Sequence, residues 1–198
     1  MTRPGFRKGR TGGSGSAAAS DAEAFLGTAL FSQAQILHLM KTEFARSRRY
    51  GHPVGCLLIA VDRLAQLVDL HGGALRTELR AAIGKLVRER TRGADLLGVL
   101  AEDRYLLVLP HTSLAQTRIV AERLHQLFAG LEVTVDGRVL APTASIGFTA
   151  SGDAETMFFD TIVAQAESAL DWSERRGGNA VVSFGETQLR APDGGGEV

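Results

Sequence analysis

Residues Val54–Val61 form an almost unbroken apolar run of strand length, and this run restricts the fold more than any other segment of the chain. Such a run is typical of a central, buried strand. A second signal lies at 96–110, where two apolar runs flank a short polar turn in the pattern of a β-hairpin. The sequence therefore predicts a sheet with a central strand at Val54–Val61 and a hairpin further along the chain.

Segments with the 3.6-residue period of helices alternate with the predicted strands. The predicted helices are 31–50, 63–71, 74–90, 114–128 and 162–173, and turn residues at 51–53 and 72–73 end the first two. A second hairpin is predicted from 133–135 and 139–149, and a last strand from 181–184. This order predicts an α+β fold, an α/β sandwich in which helices cover a mainly antiparallel central sheet.

The length of 198 residues suits one domain with tails, and we place the domain at 22–187. The segment 1–21 is basic at first and then rich in Gly, Ser and Ala, and the segment 188–198 is polar and rich in Gly. Both segments are predicted to be flexible tails. The basic part is interpreted as a solubilising tail, with an arm that binds nucleic acid or membrane as the alternative.

The formal net charge of +0 implies no general attraction to nucleic acid or to an anionic membrane. No apolar stretch approaches the roughly 18–20 residues that a membrane-spanning helix needs, and the N-terminus lacks the hydrophobic segment of a signal peptide. These features predict a cytoplasmic protein that binds neither nucleic acid nor membrane. The single cysteine, Cys56, lies inside an apolar run and is predicted to be buried and reduced.

Several short motifs occur in the order and spacing of one known family. Residues 44–53 look like the family's first helix and exit turn, residues 145–148 (Ser-Ile-Gly-Phe) resemble its Ser-Ile-Gly-Val strand, and residues 166–170 with 177–179 match its last helix and following turn. The hairpin turn reads Ala-Glu-Asp-Arg-Tyr at 101–105, where the family reads Gly-Gly-Asp/Glu-Glu-Phe. Over 34–186 the chain therefore resembles the GGDEF domains of diguanylate cyclases, which implies a palm-like nucleotidyl cyclase fold.

The resemblance implies that the catalytic site has lost metal ligands. The family uses two divalent ions to polarise the GTP phosphates, and its leading aspartate corresponds to Ala60, whose methyl group cannot coordinate a cation. Asp62 and Asp103 keep their carboxylates, but Arg104 replaces the glutamate of the turn and opposes ion binding. Side chains also stand in place of the two turn glycines at which the nucleotide approaches bare backbone, namely Ala101 and Glu102.

The family's contacts to the base and to the phosphates are missing as well. By the resemblance, Val68 and Thr77 stand at the positions that recognise guanine, so that hydrogen-bonding edge is lost. Three cationic phosphate contacts are replaced by Ala65, Glu174 and Gly178. Because contacts within one site fail as a unit, we predict no diguanylate cyclase activity, no catalytic residue, and no metal or other cofactor.

One nucleotide-binding arrangement of the family survives. Arg92 and Asp95 have the Arg-x-x-Asp spacing of the inhibitory site at which family members bind cyclic di-GMP. An arginine can donate to O6 and N7 of guanine, and a carboxylate can accept from the ring N–H and the amine. An arginine of the following helix often completes that site, with Arg123 or Arg118 as candidates here. The alternative interpretation of Arg92 and Asp95 is a surface ion pair.

We therefore predict a catalytically inactive GGDEF-type domain that acts as a receptor for cyclic di-GMP. The first alternative is a nucleotide-independent interaction module that binds a protein partner or forms a homodimer. The second alternative is an enzyme, in which Asp62, Asp103 and Glu102 would hold metal. The five histidines lie in different predicted elements and show no metal-ligand spacing: His38, His52, His71, His111 and His125.

Overall fold

A computed structural model of the chain describes residues 30–152 and 158–189. Its main sheet has five strands in the order β2-β3-β1-β6-β7, and β4 and β5 form a separate two-stranded hairpin. The strands are β1 Val54–Val61, β2 Leu96–Val99, β3 Tyr105–Pro110, β4 Val133–Val135, β5 Arg138–Leu140, β6 Ala144–Ala150 and β7 Val181–Ser183. The helices are α1 Gln33–Tyr50, α2 Leu64–His71, α3 Ala74–Arg90, α4 Leu114–Phe128, α5 Phe159–Arg175 and α6 Phe184–Leu189, with one 3₁₀ turn at Ala101–Asp103.

The central position of β1 explains the apolar run in the sequence. β1 pairs antiparallel with β3 on one side and with β6 on the other, and all of its residues are buried. Leu57 and Ile59 belong to one core cluster, whereas Cys56 and Leu58 belong to a second. Because successive side chains of a strand point to opposite faces, a strand between two packed layers is apolar at every position.

Helices cover both faces of this sheet. Ile83 of α3 and Leu124 of α4 enter the first core cluster, and Met40 of α1 and Leu170 of α5 enter the second. α5 approaches β6 so closely that a Cβ added at Gly147 would lie 2.2 Å from the amide nitrogen of Leu170. Among the described strand pairs only β6 and β7 run parallel. The predicted α+β class, with helices over a mainly antiparallel sheet, is therefore confirmed.

Capping residues explain where two of the helices begin. The Ser32 hydroxyl accepts a hydrogen bond from the Gln35 amide, and the Gln35 side chain accepts one from the Ser32 amide. Ser113 and Gln116 form the same reciprocal pair at the start of α4. Each capping box satisfies two amides that have no partner inside the helix. α1 ends at Gly51, whose φ of 70° lies in the left-handed region that glycine adopts without strain.

The structure differs from the predicted strands at two places. The predicted strand 139–149 is divided into β5 and β6, because Pro142 has no amide hydrogen for a strand ladder and β6 pairs with β1 rather than with β4. The strand predicted at 181–184 ends at Ser183, and α6 then continues to Leu189, beyond the predicted domain end at 187. Reciprocal hydrogen bonds between Ser183 and Glu186 form a capping box that marks this helix in the sequence.

Three other expectations can be compared with the structure. The predicted tail 1–21 and the residues after 189 lie outside the described part of the chain. Within the described ranges, no helix combines the length and the apolar character that crossing a bilayer requires. Cys56 is buried as predicted, and this burial raises the pKa of its thiol to about 12.

Candidate functional site

The turn between β2 and β3 carries the residues that the family resemblance assigns to the catalytic motif. The 3₁₀ turn Ala101–Asp103 includes Glu102. The residues on either side of this turn are joined by a hydrogen bond from the Leu100 amide to the Arg104 carbonyl at 2.7 Å. Asp103 adopts a φ of 58°, in the left-handed region. In this conformation the side chains of Asp103 and Arg104 contact different helices, α3 and α5 respectively.

Both carboxylate oxygens of Asp103 are paired with arginines of α3. Oδ1 lies 2.6 Å from an Nη of Arg80, and Oδ2 lies 3.3 Å from Nε of Arg76. The Asp103 side chain is only 14% exposed, so both contacts are partly shielded from water. A metal ion at this carboxylate would have to displace two guanidinium groups. The negative charge of Asp103, the carboxylate that the sequence retains from the catalytic motif, is therefore balanced by two arginines of the protein itself.

Arg104 lies among three carboxylates of α5. Its guanidinium is 2.9 Å from Asp171, 3.1 Å from Glu174 and 3.3 Å from Glu167. Burial lowers the pKa of Arg104, but the charges of Glu174, Asp171 and Glu167 outweigh burial and raise it overall. Burial raises the pKa of Glu174 above its ordinary value, although the charge of Arg104 acts in the opposite direction. We call this group of four side chains the Arg104 cluster.

The Arg104 cluster contains a compensated charge reversal. By the resemblance, the family has a glutamate at position 104 and a lysine at position 174, whereas this chain has Arg104 and Glu174. The structure brings these two side chains into contact at 3.1 Å. Two substitutions that looked independent in the sequence therefore form one ion pair. The reversal also leaves a cation at position 104, where by the resemblance the family has a carboxylate.

Asp62 acts as a structural anchor rather than as a free carboxylate. It accepts hydrogen bonds from the hydroxyls of Thr143 at 2.6 Å and Ser145 at 2.7 Å, and from the amide of Asn179 at 2.9 Å. These bonds join the end of β1 to the start of β6 and to the loop before β7. A Cβ added at Gly178 would lie 2.4 Å from Oδ1 of Asp62. A side chain at position 178, where by the resemblance the family has an arginine, would therefore require Asp62 to shift.

The structure also gives the burial of five other positions at which, by the resemblance, the family contacts the nucleotide or the metal. Ala60 is buried in the second core cluster, and Val68 packs against the first. Ala65, Thr77 and Ala101 are exposed. In the ranges that the structure describes, no group of three or more His, Cys, Asp or Glu side chains is arranged to hold a metal ion.

Arg92 and Asp95 lie together in the connection between α3 and β2. Oδ2 of Asp95 accepts a hydrogen bond from the Arg92 amide at 2.7 Å, and the Asp95 amide donates to the Arg92 carbonyl at 3.0 Å. Burial raises the pKa of Asp95, while the Arg92 amide and the charges of Arg92 and Arg123 act in the opposite direction. The backbone of Arg92 holds Asp95, and the Arg92 residue itself is exposed. Among the described residues, the Arg92 guanidinium forms no ion pair.

The structure separates the two arginines that the sequence left as alternatives. Arg123 donates to the Arg90 carbonyl at 2.6 Å, beside the Arg92–Asp95 connection, and its charge acts on Asp95. Arg118 instead lies 3.2 Å from Glu186 of α6 and 5.2 Å above the ring of Phe148. Arg123 is thus grouped with Arg92 and Asp95, whereas Arg118 fixes α6 against the sheet.

Contacts between distant parts of the chain leave no local signal in the sequence. Glu167 and Asp171 have the i,i+4 spacing of one helix face, which indicates an acidic stripe, but nothing local assigns that stripe to Arg104. His52 and His111 lie in different predicted elements, and the fold brings their ring centroids to 4.3 Å from each other. In each case the partners are set by strand and helix packing rather than by sequence spacing.

Comparison with known proteins agrees with this architecture. A family model described as "Diguanylate cyclase, GGDEF domain" matches residues 27–180. Diguanylate cyclase DgcP of Pseudomonas aeruginosa is 27% identical over 150 residues, which is 76% of this chain and 22% of DgcP. The chain spans between about a fifth and a third of the length of such curated relatives.

Solved structures have the same fold. The diguanylate cyclase SiaD of Pseudomonas aeruginosa, in complex with its activator SiaC, aligns with a TM-score of 0.73 at 27% identity, over 84% of this chain and 66% of that one. The GGDEF domain of DgcB from Caulobacter crescentus, in complex with c-di-GMP, aligns with a TM-score of 0.72 at 14% identity, over 79% and 92% of the two chains. The second likeness shows the fold alone. Because the family model covers most of the chain and the sheet and helices agree, the chain belongs to the GGDEF domain family.

Proposed function

We propose that this chain is a catalytically inactive GGDEF domain that acts as a receptor for cyclic di-GMP. One contrast supports the proposal. The surviving carboxylates Asp62 and Asp103 are held by donors of the protein itself. The exposed arginines Arg92 and Arg123 flank a half-buried carboxylate, Asp95, outside the catalytic turn.

The inactivity follows from the contacts around the turn. Phosphoryl transfer in this family needs divalent ions held by carboxylates. Here Ala60 supplies no ligand, and an ion at Asp103 would compete with Arg76 and Arg80. Arg104 adds a fixed positive charge beside that position. These effects act on one site, so they combine to remove catalysis rather than to lower it slightly.

The Arg92–Asp95 connection offers the groups that recognise a guanine edge. The Arg92 guanidinium can donate to O6 and N7 of guanine, and its plane can stack on a base. Oδ2 of Asp95 is used by the Arg92 amide, which orients the carboxylate and leaves Oδ1 to accept from guanine N–H groups. Arg123, held on the Arg90 carbonyl, supplies a second charge for a base or a phosphate. DgcB, which shares the fold, is described in complex with c-di-GMP.

Isothermal titration with cyclic di-GMP tests the receptor function. We expect saturable binding by the unmodified chain and a loss of about 1–3 kcal/mol in Arg92→Ala, the range for one bidentate base contact, or roughly 5- to 150-fold in affinity. Arg138→Ala is the matched control, because Arg138 is an exposed arginine on the separate β4–β5 hairpin. Absence of heat at high micromolar ligand, or equal affinity in Arg92→Ala, would contradict the receptor function.

Inactivity is tested separately. Incubation with GTP and Mg²⁺ or Mn²⁺, followed by chromatography, is expected to give no cyclic di-GMP. A product that disappears in Asp103→Ala would show that the chain is an enzyme and would contradict our proposal.

A nucleotide-independent interaction module is the second candidate. The observation that favours it is the match to SiaD at 27% identity, because that cyclase is described in complex with its activator SiaC. A flat titration with cyclic di-GMP, together with a defined protein partner or a homodimer measured by analytical ultracentrifugation, would support this function in place of the receptor.

A further inference from the structure

The outer edge of β2 is a place where the main sheet can take a further strand. β2 is the last strand on its side of the sheet, so one of its two edges is not covered by another strand of that sheet. Phe31, which lies just before α1, pairs with Gly98 of β2 in a parallel bridge. The Phe31 amide donates to the Leu97 carbonyl at 2.9 Å, and the Val99 amide donates to the Phe31 carbonyl at 2.9 Å. An edge of this kind is a template for pairing with an extended segment.

Leu30 and Phe31 are packed in the way that successive residues of a strand are packed. Leu30 is buried in the first core cluster, whereas Phe31 packs against the second. The two clusters lie on opposite faces of the sheet, and successive side chains of a strand point to opposite faces. The chain therefore lies on the edge of β2 as a strand would, and it becomes helical only after Ser32, the N-cap of α1.

The parallel direction of the bridge shows where the chain enters this edge. Phe31 lies beside Gly98 and runs parallel to β2, so the residues before it lie toward the start of β2 at Leu96. The Arg92–Asp95 connection directly precedes that start. The chain before Leu30 therefore approaches the Arg92–Asp95 connection, and not the catalytic turn, which follows the other end of β2.

Residues 21–29 lie before the described part of the chain, and their backbone can continue this pairing. In a parallel ladder, every second residue directs both its amide and its carbonyl to the neighbouring strand. Two positions before Phe31, the Ala29 amide would donate to the Asp95 carbonyl, and the Ala29 carbonyl would accept from the Leu97 amide. Residue 28 would then lie beside Asp95, so a continued strand reaches the site of the proposed receptor.

This segment carries negative charge toward a positively charged site. Its two ionisable side chains are Asp21 and Glu23, and the five residues from Glu23 to the position beside Asp95 span at most about 17 Å. Arg92 and Arg123 are exposed at this site, and their charges act on Asp95. Asp21 and Glu23 are therefore within reach of the two guanidinium groups that an anionic ligand would also use.

We propose that the outer edge of β2 is the docking surface of this chain's own segment 21–29, and that the docked segment competes with an anionic ligand at the Arg92–Asp95 connection. The inference rests on the proposed function, because it assigns a regulator to the same site. The segment adds to the sheet as a parallel strand, and the carboxylates of Asp21 and Glu23 pair with the exposed arginines. A ligand must displace these carboxylates, so its affinity depends on whether the segment is docked.

Hydrogen exchange measured by NMR in the ligand-free chain tests the docking. We expect the Ala29 amide to exchange at least about tenfold more slowly than in an unfolded peptide. The Leu97 amide should exchange faster in Ala29→Pro, because proline has no amide to donate to the edge of β2. Ala17→Pro is the matched control, because residue 17 lies outside the segment, and it should leave Leu97 unchanged. An unprotected Ala29 amide, or equal exchange of Leu97 in the two variants, would overturn the docking.

Titration with cyclic di-GMP tests the competition. We expect the double variant Asp21→Asn/Glu23→Gln to bind at least about twofold more tightly than the unmodified chain, because two ion pairs no longer oppose the ligand. Asp193→Asn/Glu197→Gln removes the same charge near the other end of the chain and should bind like the unmodified chain. Equal affinity in the two double variants would overturn the competition. A chain that binds no cyclic di-GMP would contradict the receptor function and the competition, whereas protection of the Ala29 amide would still support the docking.

Discussion

Replacing Arg104 by methionine tests how the hairpin is held against α5. The substitution keeps an unbranched apolar stem and removes the charge that pairs with Glu167, Asp171 and Glu174. The guanidinium side chain is 19% exposed, whereas its partners are 34–48% exposed, so solvent screens each pair in part. At about 0.2–1 kcal/mol for each screened pair, three pairs contribute about 0.6–3 kcal/mol.

Loss of Arg104 also leaves like charges together on one helix face. Glu167 and Asp171 are four residues apart, and Asp171 and Glu174 are three apart, so each pair repels by about 0.2–0.5 kcal/mol. Arg104 offsets this repulsion in the unmodified chain, and nothing offsets it in the variant. We therefore expect Arg104→Met to lower the free energy of unfolding by about 2 kcal/mol at pH 7 and low salt, measured by urea denaturation. Salt reduces the loss, because it screens both effects.

The pH dependence gives a second check on this cluster. Burial and the charges of Asp171 and Asp62 raise the pKa of Glu174, and removal of Arg104 takes away the charge that opposes them. The ionised form then opposes folding, so the stability of the variant relative to the unmodified chain falls as pH rises through about 4–5 and recovers below that range. Arg46→Met is the control, because Arg46 forms an ion pair at a side-chain exposure of 63%, and we expect a loss under about 0.5 kcal/mol.

A loss below about 0.5 kcal/mol that is the same at pH 4 and pH 7 would refute this account of Arg104. A double-mutant cycle with Glu174→Gln isolates the pair that carries the charge reversal. A coupling free energy indistinguishable from zero would show that Arg104 and Glu174 do not stabilise each other in solution.

The other predictions concern single positions. Gly178→Ala is expected to lower the free energy of unfolding by at least about 2 kcal/mol in urea denaturation, because φ is 76° and the new methyl group would displace Asp62. Gly73→Ala is the control, because Gly73 has open space around it and an ordinary φ. Burial alone would raise the pKa of Glu186, but hydrogen bonds from Ser183 and the charge of Arg118 outweigh burial and lower it. The ionised Glu186 therefore stabilises the fold above about pH 4.3, and this stabilisation disappears as the pH falls through the lowered pKa. In urea denaturation, the free energy of unfolding of Glu186→Gln should approach that of the unmodified chain in acid. Cys56 should resist iodoacetamide at pH 8 in the folded chain, because burial raises its pKa to about 12, and labelling at the rate of the unfolded chain would contradict this.

Local sequence patterns predicted the bounds of a strand and a helix whose ends are set by residues close in sequence. The strand Val54–Val61 and the helix Ala74–Arg90 have the bounds predicted from the apolar run and from the Gly-Gly break. The prediction of one continuous strand over 139–149 was wrong, because an apolar pattern alone does not show which neighbour a strand pairs with. Pro142 also interrupts the hydrogen-bond ladder. α6 was missed because its six residues are too short for a helical period. Its Ser-x-x-Glu capping box was the available signal.

The candidate site divides in the same way. The family resemblance identified Arg92 and Asp95, and the predicted elements placed them between a helix and a strand. The structure adds that Arg123, not Arg118, lies beside them. The three carboxylates around Arg104 could not be predicted, because they are 63 to 70 residues away along the chain. Only the packing of α5 against the sheet brings them to the turn.

The pairing of Arg104 with Glu174 restricts how this domain can change. Restoring glutamate at 104 alone would place four acidic groups side by side, and restoring lysine at 174 alone would set two cations against each other. Each single step passes through a less stable protein, so the two positions must revert together. The two positions are therefore coupled, and the cost of changing either one depends on the residue at the other.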